Sequence, residues 1–143
     1  KKSKFRLEAV LRVRRIEEER ALADLLAANR ALAEAEAELD RRLDHYRTVT
    51  LPTGALTHDR YVAARSQQDL AAGAVVAAGT ARLAAEHERN RLHATWAAAA
   101  ARVKALERLD ERRREEHAVE VLREETIVLD EIATATRLIG VER

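Results

Sequence analysis

Leu51-Pro52-Thr53-Gly54 holds the only proline in 143 residues and the first of four glycines. Proline lacks an amide hydrogen and turns the residue before it away from helix. Glycine two positions later supplies the positive φ that a chain reversal needs. On both sides run long tracts of helix-forming residues. The stretch therefore reads as a turn, and the fold as all-α: two long helices in an antiparallel coiled-coil hairpin, the second longer than the first and overhanging it. The expected bounds are helix one at about 4–49, a turn at 50–56 and helix two at about 57–139, in one domain spanning 1–143.

Composition agrees. Hydrophobic residues are 47% of the chain, but thirty of them are alanine and aromatics are only 3%. Such a set cannot fill a broad core, because alanine buries little area. Charged residues are 36%, and heavy use of Ala, Glu, Leu and Arg at helical spacing is the composition of coiled coils. The net charge of +1 exerts no strong pull on nucleic acid. No cysteine is present, so there is no disulfide framework and no thiolate chemistry, which suits a reducing compartment. No apolar run approaches a membrane span and no signal-peptide pattern opens the chain. Methionine is absent, so residue 1 does not read as a natural start.

North of the turn, Ser3 reads as an N-cap. Leu11, Leu25, Leu32, Leu39 and Tyr46 recur by sevens, with Glu18 the dissenting member. Leu7, Arg14, Ala21, Ala28, Ala35, Arg42 and Val49 supply the other half of a heptad seam. Leu22, Leu26 and Leu43 widen the stripe, while Arg14 and Arg42 must snorkel or face a partner. South of the turn, Thr57 reads as an N-cap and Gly140 as a terminator. Gly73 and Gly79 lie inside the second helix and read as points of close helix approach. A tight turn near residue 53 sets Tyr46 opposite Arg60, Leu32 opposite Ala74, and Leu11 near Thr95 and Trp96. Trp96 would then pack on the first two turns of helix one. At 1.5 Å per residue the helices are about 70 and about 120 Å long. The last 35 to 40 residues, roughly, overhang, with Leu122, Leu129, Ile132 and Ile139 at helical spacings; an isolated helix with such a stripe needs another surface. The competing architecture folds 57–95 into a hairpin of its own and pairs helix one with 96–138.

Nothing here carries catalysis. The five histidines form no HExxH, and His87 and His93 are six apart where a metal on one helix face wants four. No phosphate-binding loop or nucleophile elbow occurs. The carboxylate runs Glu17-Glu18-Glu19, Glu115-Glu116 and Glu124-Glu125 alternate with arginine and read as solvated faces. We expect no enzyme, no cofactor, no metal, no small-molecule substrate and no nucleic acid. Two features point to partners. Lys1, Lys2, Lys4, Arg6, Arg12, Arg14 and Arg15 face only Glu8 within the first fifteen residues, making that end a site for an acidic partner. Tyr46 and Tyr61 both lie near the turn, where aromatics serve as staples or anchors.

The order of several segments resembles the FliJ family of flagellar export proteins. The opening Lys4-Phe5-Arg6-Leu7-Glu8-Ala9-Val10-Leu11-Arg12-Val13-Arg14, then Glu17-Glu18-Glu19, is similar to that family's N-terminus. Asp44-His45-Tyr46-Arg47 before a glycine-containing turn, then Arg60-Tyr61, is similar to its tip. The segment from Trp96 to Leu109, the charged tract Asp110 to Glu116 and Asp130-Glu131-Ile132-Ala133 resemble its later part. The resemblance implies a coiled-coil stalk or escort protein. Its implied partners are the hexameric flagellar export ATPase, the export-gate membrane protein and export chaperones. Its implied place is cytoplasmic, peripheral at the inner face of the cell membrane. By position, Tyr46 matches a tip tyrosine implicated in gate binding, and Arg42 lies one turn before it, where the family can have another tyrosine. Tyr61 and Leu70 join them at the tip, although the facing positions from Gln67 to Ala71 are only partly apolar. Arg12, Arg14, Arg15, Leu122, Leu129 and Ile132 form the expected ATPase-binding end. The rival function is a coiled-coil scaffold that binds membrane or nucleic acid through the basic end.

Overall fold

The computed structural model describes the backbone from Lys2 to Gly140 and side chains from residue 6 to residue 137. It is all-helical: α1 spans Lys2–Thr48 and α2 spans His58–Gly140, with no strand among the described residues. The two helices form an antiparallel coiled-coil hairpin, and α2 is the longer.

The turn forms for the reasons its residues supply. Thr48 Oγ1 donates to the His45 carbonyl at 2.7 Å, and the Val49 amide donates to the His45 and Tyr46 carbonyls. These bonds close the last turn of α1 just where β-branched residues and Pro52 stop it. Gly54 takes φ of 114°, the only positive φ among the described residues. The Thr57 carbonyl accepts the first helical bond of α2, from the Tyr61 amide at 3.1 Å. The α2 helix then runs unbroken through Gly73 and Gly79 to Gly140, which excludes the alternative with a second hairpin over 57–95. The Ser3 cap and the side chain of Ile139 lie outside the described side chains; the helix is already formed at Lys2.

Chain contacts divide the molecule into two units, residues 1–15 with 101–143 and residues 16–100. In each unit a segment of α1 packs antiparallel on a segment of α2. The packing follows one rule. Between residues 6 and 37 the covered positions of α1 are Leu7, Leu11, Arg14, Glu18, Ala21, Leu25, Ala28, Leu32 and Ala35, and the series continues at Leu39. On α2 they include Ala64, Gln68, Ala71, Val75, Ala78, Arg82, Ala85, Arg89, Leu92, Trp96, Ala99, Val103, Leu106 and Asp110. Both series step alternately by three and four, the coiled-coil spacing.

The two series are mirror images, and this corrects the expected register. Leu7 corresponds to Asp110, Leu25 to Leu92 and Leu39 to Ala78; the two numbers of each such pair add to 117. Within the unit 1–15 and 101–143, Arg15 reaches Glu107 at 2.8 Å. Within the other unit, the pKa of Arg91 is raised chiefly by its hydrogen bond to Glu88 and to a smaller extent by the Asp24 carboxylate of α1. Both pairings fit the mirrored register and neither fits a tight turn. Leu32 therefore faces Ala85 rather than Ala74, Leu11 faces Leu106 rather than Thr95 and Trp96, and Tyr46 falls opposite Ala71 rather than Arg60. Trp96 faces Ala21, not the first two turns of α1. The cause is the connection. Nine residues, 49–57, are non-helical, and an extended chain covers more than twice the rise of a helix per residue. The loop thus advances the start of α2 beyond the end of α1.

Among the described residues the buried side chains are few, Leu7, Ala21, Leu25, Ala28, Ala71, Ala78 and Val103, and none of them is fully buried. Some layers set a large residue against a small one, as at Trp96 and Ala21, and others set leucine against leucine, as at Leu25 and Leu92. After Leu39 the α1 seam drifts. Leu43 is half-buried, whereas Arg42 and Tyr46 are exposed; the Arg42 guanidinium turns along its own helix to Glu38 at 2.6 Å. Leu22 and Leu26 do not widen the stripe but stand exposed on its flank. Gly73 and Gly79 are not points of close approach: a Cβ built on either meets nothing within 4 Å.

Candidate functional surfaces

Apart from Arg14, the site residues that sequence singled out fall on exposed surface in two regions, one in each unit. In the unit 16–100, Tyr46 and Tyr61 are 39% and 49% exposed and Leu70 is 74% exposed. Arg42 is exposed and held by Glu38, whose carboxyl is kept below its ordinary range by hydrogen bonds from Arg41 and Arg42. Tyr46 sits on the last turn of α1, Tyr61 on the first turn of α2 and Leu70 three turns into it. Sequence reading missed two neighbours. Val76 and Leu83 are also exposed, 70% and 51%; they share one face of α2, turned by roughly a third of a circle from Leu70. The signal was present: residues 70–81 contain no charge, which a solvated helix face rarely lacks. Without the register, however, that run reads as seam.

In the unit 1–15 and 101–143, Arg12 and Arg15 are exposed and Arg14 is half-buried in the seam. Arg15 holds Glu107, so the basic end is partly neutralised within the unit. Beyond Asp110 the pattern changes: every described residue from 111 to 137 is exposed. Leu122, Leu129 and Ile132 are 62%, 66% and 56% exposed. Val119, Val121, Ile127 and Val128, which sequence reading did not single out, are exposed beside them. The overhang thus starts at 111, a little later than expected, because the register has moved toward the C-terminus.

An open hollow of about 460 Å³ is lined by Ile127, Asp130, Glu131, Thr134 and Ala135, all on one helix, so polar groups from different elements do not converge there. Among the described residues no group of three or more His, Asp or Glu side chains is placed to hold a metal, and no helix is long and apolar enough to cross a membrane. Trp96 reads as a seam residue. It is half-buried and meets His93 edge to face at 5.8 Å, and its indole N–H has no acceptor.

Fold and surface together define a long-helix antiparallel coiled coil with exposed apolar faces. The family model for the flagellar FliJ protein matches residues 3–137. The chain belongs to the FliJ family, and so to the proteins of flagellar export. No curated protein and no solved structure matches the chain.

Proposed function

We propose that the chain is a non-enzymatic component of flagellar protein export, linking the export ATPase ring to the export gate and escorting export chaperones. The observation that carries this reading is the bare stretch of α2 from 111 to 137, exposed throughout yet bearing Leu122, Leu129 and Ile132, in a chain of this family. A single helix that keeps such side chains in water has a surface elsewhere to bury them. A ring of ATPase subunits offers one that a slender helical end can enter. Arg12, Arg14 and Arg15 stand near the point where α1 stops covering α2, and would meet acidic groups at the ring's mouth. At the other region, Tyr46, Tyr61 and Leu70, with Arg42 beside them, form the surface for the export-gate membrane protein. Aromatic and aliphatic anchors of this kind dominate binding energy where they enter pockets. The chain works in the cytoplasm, at the inner face of the membrane, and its action is allosteric: a seated coiled coil couples hydrolysis to the gate. Arg15 is engaged by Glu107 and the net charge is near zero, so no observation favours the scaffold that binds membrane or nucleic acid.

The test is titration of the purified chain into the hexameric export ATPase while phosphate release is followed. Stimulation is expected, and its loss in the variant L122D/L129D/I132D. No binding at physiological salt, together with normal motility after deletion of the gene, would remove the proposal.

A further inference from the structure

The apolar face of the bare α2 segment is not a continuation of the seam. Stepping on from Asp110 by threes and fours gives Arg113, His117, Glu120 and Glu124, all polar. Ala118, Leu122, Leu129 and Ile132 instead lie on a second heptad track, with Val121 and Val128 along one edge. At about 100° per residue, this track is turned by roughly a quarter of a circle from the seam at Asp110. It is therefore a separate helix-packing face, and it begins where the first ends. The α1 helix starts at Lys2, whose mirrored position in the register is 115; past that point α2 has no partner in its own unit among the described residues.

We propose that this face pairs antiparallel with the same face of a second copy of the chain, about a twofold axis beside residue 127. In that register Leu122 meets Ile132 of the second copy, Ala118 meets Thr136, and Val128 meets its own equivalent. The flanking charges select the register. On one flank Arg123 then lies level with Asp130 of the second copy and Glu116 with Arg137, opposite signs in both cases. A slide of one heptad either way puts like charges level instead: Arg123 with Arg123 and Glu116 with Asp130, or Arg123 with Arg137 and Asp130 with Asp130. Charges outside the a and d positions set register and orientation in this way. Two features oppose the pairing and keep it reversible: Glu125 lies in the stripe, opposite Leu129, and Glu124 lies level with Glu131 on the other flank. A closed twofold contact of this type ends growth at the dimer. Its face is the one assigned above to the ATPase, so ring entry and self-pairing exclude each other.

The absence of cysteine makes the test clean. V128C places one thiol beside the axis, and a short bis-maleimide is expected to link two copies. V119C places its thiols about sixteen residues apart along the pair, roughly 24 Å, and is expected to stay unlinked. Sedimentation equilibrium of the unaltered chain should show mass rising from 16.0 kDa toward twice that value with concentration. L122D/L129D should abolish the rise with helix content retained, and E125L should shift it to lower concentration. A 16.0 kDa species at every concentration, or equal linking of V119C and V128C, would overturn the proposal. These experiments contain no ATPase, so their failure leaves ring binding untouched, and failure of ring binding leaves the dimer standing.

Discussion

At the scale of single residues, burial separates structural side chains from those available to partners. Leu25 is 6% exposed and Leu70 is 74% exposed, although both are leucines on Ala-rich helices. Leu25→Ala removes packed methyl groups and is expected to cost about 2 kcal/mol. Leu70→Ala is expected to change stability by less than about 0.5 kcal/mol. Urea unfolding followed by circular dichroism reads both. The carboxyls of Glu38 and Glu88 titrate below their ordinary range, chiefly because Arg41 and Arg42 hydrogen-bond the first and Arg91 the second. A folded value below the unfolded one means these pairs favour the fold above the unfolded pKa. That support is lost as pH falls through the depressed folded values. Both carboxylates are exposed, so the effect on stability is small, and the direct measurement is site-resolved. In R41A/R42A the NMR titration of Glu38 should move up toward its ordinary value; an unmoved titration would refute the cause given.

At the scale of elements, most of α1 was legible and the register was not. The sevenfold recurrence from Leu7 to Leu39 is a local property of sequence, and the structure covers every member. The stop of α1 shortly before Pro52 and the positive φ at Gly54 were legible for the same reason. The register depends on how far nine non-helical residues travel, and no residue type states that distance. Its error carried Trp96 and Leu11 to the wrong partners. A paired-cysteine experiment checks the correction: L32C/A85C should form a disulfide readily, and L32C/A74C should not, since bridged Cβ atoms must approach to about 4 Å. The glycines were misread because small residues in a helix suggest close packing. With open space at both Cβ positions, G73A and G79A should each stabilise the fold by about 0.5–1 kcal/mol; destabilisation by either would show that a neighbour had been overlooked.

At the scale of the whole molecule, charge is unevenly placed along the chain. Its charges nearly cancel overall but are segregated along the sequence. The first fifteen residues carry seven basic side chains against one acidic, and residues 115 to 131 carry seven carboxylates against Arg123. Membership of the family was readable from the order of segments, because that order runs through most of the chain. The overhang was readable from length, since the two helices differ by 36 residues. What fills the two exposed faces was not readable, because an unpaired apolar stripe specifies a need for cover and little about its source. The most direct measurement is secretion of a flagellar subunit into the medium by cells that lack the chain and are complemented with either the unaltered gene or the L122D/L129D/I132D variant. The unaltered gene should restore secretion and the variant should fail while accumulating to the same level. Normal secretion from the uncomplemented deletion strain, or full restoration by the variant, would contradict the assignment.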